Sequence, residues 1–347
     1  PDGKKASRKG RLKNHKMTMG SDDQIPQVSS DDERRSAAAL ARLAALHPKL
    51  IDLGLERTFH LLAKLGNPHH KLPPTVHVAG TNGKGSVIAL MRAMAEAAGL
   101  RVHVYSSPHL CHFNERIRLA GTLISDGGLA DLLEEVEEAN GDTAVTFFEV
   151  TTAAAMLAFA REPADLLLLE TGLGGALDST NVLDSPLATV ITPIARDHEH
   201  FLGNDISEIA QQKAGIMRSG SPCFVSRQEA SAASAISAYA SKIGTSLIMA
   251  GDDFDWQDLP DGSICLIQDR KNTSLPKPSL YGAHQRDNAA LAAAVMLHCF
   301  GTNRPAQMIA GIASAIWPGR IHRIDDGKLT ALAPNCEIWV DGAHNAH

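Results

Sequence analysis

The chain alternates between short apolar runs and longer amphipathic stretches from residue 75 onward. The short runs predict strands buried on both faces, and the longer stretches predict helices. The predicted strands cover residues 75–80, 101–106, 165–170, 187–192 and 222–226. The predicted helices cover residues 31–46, 84–98, 147–161, 207–217 and 286–300. Apolar strands separated by helices indicate an α/β fold with a mostly parallel sheet covered on both faces.

Three segments depart from this alternation. Residues 1–28 are rich in Lys and Arg and poor in apolar residues, which predicts a disordered extension, although a nucleic-acid-binding arm could have this composition. Residues 252–283 are polar and predict an irregular segment. Beyond Trp317 the helical pattern breaks, and strands of a new α/β unit begin but stop at the end of the chain. We therefore predict a main domain over 29–317 and, over 318–347, a linker with the truncated start of a second domain.

Composition narrows the class of protein. The chain has 347 residues, of which 44% are hydrophobic and 21% charged, as is usual for a globular protein of about two domains. A net charge of -6 argues against a general nucleic-acid binder, so anionic substrates would need local cations. The sequence has neither a long apolar run nor a signal-peptide pattern, and its five Cys lack a C-x-x-C pair. These features predict a cytoplasmic protein that does not interact with a membrane.

The strongest local motif is VAGTNGKGS at residues 78–86, between a predicted strand and a predicted helix. Gly80, Gly83 and Gly85 allow a tight turn whose N–H groups point inward, while Lys84 adds a full positive charge to the helix N-terminus. Such a turn fits the phosphates of a nucleotide. The alternative is a glycine-rich turn without a ligand.

The motif departs from the strict phosphate-loop pattern G-x-x-x-x-G-K-[ST]. Val78 holds the position of the first glycine, and Gly85 separates the lysine from Ser86. In this form it resembles the phosphate loop of the folylpolyglutamate synthase and dihydrofolate synthase family, within the Mur ligase superfamily. Further motifs resemble that family in the same order: IDLGLERT (51–58), YSSPHL (105–110), NERIRL (114–119), TFFEV (146–150), LETGLGGALDSTN (169–181), ARDHEHFLG (195–203), QQKAGI (211–216), RDNAALA (286–292), WPGR (317–320) and VDGAHN (340–345).

The resemblance implies a P-loop NTPase-like domain, the Mur ligase central domain, followed by a Rossmann-like C-terminal domain. It implies ATP-dependent coupling of dihydropteroate or a folate to L-glutamate through an acyl phosphate, with ATP and two Mg²⁺ ions. It also implies a monomer with small-molecule substrates and no nucleic-acid partner. Two alternatives remain: a Mur-type ligase acting on a peptidoglycan precursor, and a non-catalytic ATP-binding fragment if the second domain is absent.

Three residues follow predicted strands at the carboxyl edge of the sheet, where ligands bind in open α/β folds. Glu170 ends the run DLLLLE, Ser107 follows the strand 101–106, and His198 lies beyond the strand 187–192. By resemblance, Ser107, Glu170 and His198 hold magnesium. Without it, Glu170 is a surface carboxylate and His198 a solvated histidine.

Lys213 in QQKAGI is the most specific candidate. Most lysines are exposed on helices. The resemblance instead implies that Lys213 is carbamylated by carbon dioxide, which turns a cation into an anion able to interact with the second Mg²⁺. That reaction needs a neutral amine, so burial or a nearby positive charge must lower the pKa of Lys213. The catalytic residues are then Lys84, Lys213 and His198.

The remaining candidates are carried over one by one. The nucleotide contacts are Thr81, Asn82, Gly83, Lys84, Gly85, Ser86, Asn288, Arg320 and Asp341. Asn288 could instead be a helix N-cap. The folate contacts are Thr146, Leu177, Asp178 and Ser179.

Overall fold

The computed structural model describes residues 30–46, 51–301, 304–342 and 345. The extension predicted over residues 1–28 lies outside these residues. In the described part of the chain, no helix is both long enough and apolar enough to cross a membrane.

The five strands predicted between residues 75 and 226 form in the predicted order and are shorter than predicted by one or two residues, and the structure adds others. They are β1 (Thr75–Ala79), β2 (Val102–Tyr105), β3 (Ile117–Leu119), β4 (Thr122–Leu123), β5 (Leu166–Glu170), β6 (Ala188–Ile191), β7 (Cys223–Val225), β8 (Leu247–Met249), β9 (Phe254–Asp258), β10 (Ile264–Gln268), β11 (Lys271–Leu275), β12 (His322–Ile324) and β13 (Ile338–Val340).

The helices include every predicted one, and the structure adds others between them. They are α1 (Ser30–Ala44), α2 (Glu56–Lys64), α3 (Lys84–Ala97), α4 (Asp126–Asn140), α5 (Phe147–Arg161), α6 (Glu199–Leu202), α7 (Ile206–Ala214), α8 (Ala230–Ile243), α9 (His284–Phe300), α10 (Pro305–Ala310) and α11 (Lys328–Leu332). Short 3-10 helices cover Pro68–Lys71, Phe113–Arg116 and Gly311–Ser314.

One large sheet has the strand order β4-β3-β2-β5-β1-β6-β7-β8. The strands from β2 to β8 in that order run parallel, and β3 and β4 continue the sheet in antiparallel fashion. β1 is central, with Val78 opposite Glu170 of β5 and Ala79 opposite Ile191 of β6. The α/β fold with a mostly parallel sheet is therefore confirmed, and the carboxyl ends of β1, β5 and β6 meet at one edge.

The period of two along the strands divides the core between the two faces of the sheet. On one face Val76, Val78 and Leu168 pack in a cluster with α3 and α9. On the other face Leu167 and Leu169 pack in a cluster with α2, α4 and α5. All these side chains are fully buried, and truncating one, as in Leu168→Ala, is expected to cost about 2–5 kcal/mol of stability.

The prediction of an irregular segment over 252–283 is wrong where three strands form, between residues 254 and 275. β9, β10 and β11 form a separate antiparallel sheet. Phe254 and Trp256 alternate with polar residues along β9, and Ile264 and Leu266 alternate with Cys265 and Ile267 along β10. These four side chains turn inward onto the cluster that contains α9. Each strand has five residues, so its alternation is too short to stand out in a polar stretch.

The segment after Trp317 forms a small sheet of its own, in which β12 pairs antiparallel with β13. This agrees with the strands predicted over 321–341, and α11 lies between them. The division into domains at residues 317 and 318 stays a prediction.

Candidate active site

The turn between β1 and α3 is held against the segment that follows β6. The N–H groups of Thr81 and Asn82 donate to the carbonyl of Pro193, at 3.0 and 3.3 Å. The Thr81 hydroxyl donates to Ala195 O at 3.0 Å and accepts from Ala195 N at 3.1 Å. These bonds fix the loop and use the first two of its N–H groups.

The following residues leave N–H groups available to a ligand. Gly83 is the N-cap of α3 with φ of 87°, and the first N–H groups of a helix have no acceptor within it. A β-carbon on Gly83 would lie 2.8 Å from Asn288 Oδ1, and one on Gly85 would lie 2.6 Å from Trp317 Cζ2. Glycine is therefore required at both positions, because larger residues would push the loop away from its neighbours.

Two lysines converge on one carbonyl oxygen at the end of β1. Lys84 Nζ donates to Gly80 O at 3.1 Å and to Thr81 O at 3.2 Å. Lys213 Nζ, from the last turn of α7, donates to the same Gly80 O at 2.9 Å. The structure thus brings together two predicted catalytic residues separated by more than a hundred positions in the chain.

Lys213 is almost fully buried, with 5% of its surface exposed. Burial and the positive charge of Lys84 together lower the pKa of its amine to about 7, although Asp197 and Asp178 oppose the change. A substantial fraction of the amine is therefore neutral near pH 7. This environment has the property that carbamylation requires.

Glu170 is the buried carboxylate of the site. It is 3% exposed, and its Oε2 accepts the N–H of Ser107 at 3.2 Å, so the ends of β2 and β5 meet. Burial raises the pKa of Glu170, whereas the nearby charges of Lys84, Arg320 and Arg116 lower it. A further cation beside this carboxylate, such as a metal ion, would offset the cost of its burial.

His198 has the left-handed backbone conformation, with φ of 51°, at the start of α6. Its side chain is 50% exposed, with Nε2 lying 3.9 Å from Asp197 Oδ1. In the described part of the chain, no three His, Cys, Asp or Glu side chains lie close enough together to hold a metal ion. The oxygen donors of Ser107 and Glu170 still fit Mg²⁺, since this ion keeps several water and phosphate oxygens as ligands.

α9 supplies a second set of polar groups to the loop. Asn288 lies inside α9, not at its N-cap, which is Ala283, so the alternative of an Asn288 cap is wrong. Asn288 Nδ2 donates to Gln285 Oε1 at 3.0 Å, and Gln285 Nε2 donates to Ser86 Oγ at 3.3 Å. Gln285 is 1% exposed and is a site residue that the sequence analysis missed.

The two remaining nucleotide candidates lie at the small C-terminal sheet. Arg320 donates to Gly319 O at 3.1 Å, and its charge acts on Glu170. Asp341 Oδ1 accepts from Ile321 N at 3.2 Å and from Gly342 N at 2.9 Å. Asn345 reaches the phosphate loop, where it pairs with Asn82 through two amide hydrogen bonds of 3.0 and 3.1 Å.

The folate candidates lie on two neighbouring segments. Thr146 is the N-cap of α5 and accepts from Glu149 N, and Phe148 in the first turn packs against Gly172 of the loop after β5. In that loop Asp178 and Ser179 are buried, whereas Leu177 is 45% exposed. Folate contacts at these four positions stay predictions.

Comparison with known proteins decides the family. The profile of the Mur ligase middle domain matches residues 78–296. A dihydrofolate synthase/folylpolyglutamate synthase of Bacillus subtilis is 38% identical over 307 residues, which is 84% of this chain and 69% of that protein. The chain belongs to the dihydrofolate synthase/folylpolyglutamate synthase family. The resemblance seen in the sequence is thereby confirmed.

Solved structures of the dihydrofolate synthase/folylpolyglutamate synthase family agree. Escherichia coli FolC, in complex with DHPP and ADP, has a TM-score of 0.79 and 36% identity, covering 89% of this chain and 71% of that one. A bifunctional folylpolyglutamate synthase/dihydrofolate synthase with Mn, AMPPNP and L-glutamate bound also has a TM-score of 0.79, at 32% identity, covering 93% and 73%.

Within this family assignment, Gln285 is the clearest omission of the sequence analysis. It is the second residue of α9, in the stretch YGAHQ that the sequence suggested as a turn, and its burial against Ser86 becomes visible only in the structure. Asn345 lies in the motif VDGAHN, but the motif alone did not predict its contact with Asn82.

Proposed function

We propose that this chain is an ATP-dependent ligase that forms an amide bond between the carboxylate of dihydropteroate or a folate and the amino group of L-glutamate. The observation that carries this proposal is the phosphate loop at the carboxyl edge, where Lys84 and Lys213 meet beside the buried carboxylate Glu170. Relatives and solved structures named as folate ligases support the substrate class.

The reaction proceeds in two steps. A carboxylate oxygen of the acid attacks the γ-phosphorus of ATP, forms an acyl phosphate and expels ADP. The glutamate nitrogen then attacks the acyl carbon, the C–O bond to phosphate breaks, and the nitrogen loses a proton. The first step brings two anions together, so positioning and charge neutralisation supply most of the catalysis.

The phosphate loop performs the neutralisation. The N–H groups at the start of α3 point at the β- and γ-phosphates, and Lys84 leaves Gly80 O and Thr81 O to contact their oxygens. Gln285 and Asn288 hold the loop from α9, because they bond to Ser86 and pack against Gly83. Arg320 and Asp341 approach the nucleotide from the C-terminal segment.

Ser107 and Glu170 would hold Mg²⁺, and His198 adds a ligand from the segment after β6. When bound there, Mg²⁺ would neutralise negative charge that develops during phosphoryl transfer. The relative with Mn, AMPPNP and L-glutamate bound supports a divalent ion beside a triphosphate. Imidazole is an unusual ligand for so hard a cation, so Glu170 contributes more than His198.

Lys213 is the modified residue in this proposal. Its neutral amine attacks carbon dioxide, an N–C bond forms, and the nitrogen loses a proton to give a carbamate anion. Burial beside Lys84 lowers the pKa of the amine to about 7, so the reactive form is present at neutral pH. The carbamate would then balance the positive charge of Lys84 and, when bound, that of a second Mg²⁺.

The folate contacts Thr146, Leu177, Asp178 and Ser179, a monomeric state and a cytoplasmic location complete the proposal and await their own tests. The alternative of a ligase for peptidoglycan precursors is not favoured, because the matching relatives are named as folate enzymes.

Phosphate release measures the proposed activity directly. Purified protein is supplied with ATP, Mg²⁺ and L-glutamate, together with dihydropteroate, a reduced folate or a muramyl nucleotide. We expect phosphate release with one or both pterin acids, dependent on glutamate. Release only with the muramyl nucleotide would contradict the folate assignment, and nucleotide binding without release under any condition would contradict a ligase.

A further inference from the structure

A buried series of hydrogen bonds runs from the middle of β1 to the loop after β5. His77 Nε2 lies 2.9 Å from Thr180 Oγ1, and the Thr180 hydroxyl donates to Asp178 Oδ1 at 2.5 Å. His77 and Thr180 have no exposed surface, and Asp178 is 2% exposed. The proposed reaction does not use His77 or Thr180.

The direction of these bonds follows from the donors available. Burial raises the pKa of Asp178, but the Thr180 hydroxyl and the N–H groups of Leu173 and Thr180 point at the carboxylate and oppose that rise. Both carboxylate oxygens accept N–H groups, Oδ2 from Leu173 at 2.7 Å and Oδ1 from Thr180 at 3.0 Å. A threonine hydroxyl has one hydrogen, which goes to Asp178, so His77 must donate from Nε2.

His77 carries a cost that an aliphatic residue would avoid. Its Nδ1 is buried without a hydrogen-bond partner in the described part of the chain, and burial lowers the pKa of the ring to about 3. Its neighbours in register, Leu169 and Thr189, are fully buried on the same face. A buried acceptor without a partner is unfavourable, so a histidine at this position needs a reason. The hydrogen bond that Nε2–H donates to Thr180 is such a reason, since an aliphatic side chain could not make it.

The loop over residues 171–183, here the β5 loop, is packed against the end of α7. Ala176 N donates to Gln212 O at 2.7 Å, and Asn181 Nδ2 donates to Gly215 O at 3.1 Å. A β-carbon on Gly175 would lie 2.9 Å from Lys213 O, so the backbones of the β5 loop and Lys213 touch.

Arg218 also joins the β5 loop to the residues that follow α7. Its Nη2 donates to Asn181 Oδ1 at 2.8 Å, and its Nη1 donates to Gly215 O at 3.1 Å. The β5 loop and the end of α7 therefore form one block. β1 and the residue that follows it make two hydrogen bonds to this block. Gly80 O accepts from the Lys213 amine, and His77 bonds to the Thr180 hydroxyl.

We propose that His77 is a positioning residue, which acts through Thr180 and Asp178 to fix the β5 loop against α7 and so holds the Lys213 amine opposite the phosphate loop. This inference rests on the proposed function of Lys213. It predicts that the fully buried hydroxyl of Thr180, to which no substrate contact is assigned, controls turnover.

Thr180→Val tests this role, since it keeps the shape of the side chain and removes the hydroxyl. We expect kcat to fall about tenfold or more, because small displacements of a reacting group are costly, while KM for ATP changes little. In ¹³C-labelled bicarbonate, the carbamate signal of Lys213, identified by its loss in Lys213→Arg, should fall with kcat. Thr180→Ser keeps the hydroxyl, so its kcat and its carbamate signal should be close to those of the wild type.

Thr189→Val is the matched control, because Thr189 is a fully buried threonine beside His77 on β6 whose hydroxyl lies outside the series. It should retain wild-type kcat and carbamate. The inference is overturned if Thr180→Val behaves like wild type, or if Thr189→Val is impaired equally. Should Thr180→Val fail to fold, His77→Leu takes its place, with His77→Gln as the variant that keeps a donor.

A third measurement separates this inference from the proposed function. Wild-type protein without phosphate release or carbamate would contradict the proposed function. The positioning role is then read from amide hydrogen exchange, which should be faster in the β5 loop and α7 of Thr180→Val than in wild type or Thr189→Val. Equal exchange in all three proteins would refute it.

Discussion

Lys84 and Lys213 donate to the same carbonyl oxygen of Gly80, yet their surroundings differ. Lys84 stands at the half-exposed start of α3, where its charge can move onto an incoming phosphate. Lys213 sits in the last turn of α7 with 5% of its surface exposed, and burial there lowers the pKa of its amine to about 7. The carbonyl oxygen of Gly80 thus accepts hydrogen bonds from two different groups. One is the cation of Lys84, and the other is the amine of Lys213, which is partly charged and partly neutral near pH 7.

In the proposed mechanism the two lysines have different roles because of their positions, and not because of their residue type. The charge of Lys84 is itself the second-largest cause of the lowered pKa of Lys213, after burial. Like charges so close together disfavour the protonated amine, and converting Lys213 into a carbamate would turn that repulsion into attraction.

Removing Lys84 should have the largest effect. Lys84→Ala should lower phosphate release by about 1,000-fold, since it removes a cation that acts on the transferred phosphoryl group. The fold should survive, because the side chain is only partly buried. Steady-state rates and thermal melts measure the two effects, with Lys242→Ala, at an exposed lysine of α8, as the control. Undiminished turnover would exclude the phosphate-loop role.

Removing Lys213 should come next. Lys213→Ala should lower turnover by about 100-fold, and a short carboxylic acid such as acetate should restore part of it by replacing the carbamate in the vacated space. Lys213→Arg keeps a cation and leaves no space, so added acid should not help it. If acetate restores neither variant, Lys213 acts without a carbamate.

The pH dependence should separate the lysines without mutation. Because the pKa of folded Lys213 is lowered to about 7, the amine is protonated below that pH, and turnover at constant dissolved carbon dioxide should fall about tenfold per pH unit. The unfolded chain keeps this proton up to the ordinary lysine pKa of 10.5, so the free energy of unfolding should rise with pH between about 7 and 10.5. Acetate-supplemented Lys213→Ala should lack the inflection near pH 7.

The smallest effect is expected at Asn345, which links the C-terminal segment to the loop that carries Lys84. Asn345 pairs with Asn82 and donates to Asp197 Oδ2 at 3.2 Å. Asn345→Ala should raise KM for ATP about fivefold, as expected for loss of roughly 1 kcal/mol of hydrogen bonding. Asn345→Asp places a second carboxylate beside Asp197 and should be worse. An unchanged KM in both variants would show that this contact does not support the loop.

The predicted fold and the observed one agree where the pattern was long or wholly apolar. α5 spans Phe147–Arg161, the same bounds as the predicted helix, and LLLLE forms the fully buried β5. β9 to β11 were missed because five-residue strands in a polar stretch show too little alternation, and their inward residues matter only once α9 is present to cover.

The site divides in the same way. The phosphate loop and Glu170 could be predicted. A glycine-rich turn after a strand and a carboxylate at the end of a strand can be recognised as parts of a site without knowledge of tertiary contacts. Gln285 could not, because its importance depends on α9 bringing it to Ser86, which lies far away in the chain. The relation between Thr180 and Lys213 is likewise invisible until the β5 loop packs on α7.

The amino-acid sequence by itself determined the strand and helix order, the phosphate loop and the family, because these depend on local periodicity and on short contiguous motifs. Only the tertiary structure decided that Lys84 and Lys213 share the carbonyl of Gly80, and that burial brings the pKa of Lys213 to about 7. A pKa depends on solvent exclusion and on charges from distant segments, and both arise only when β1, α3 and α7 are packed together.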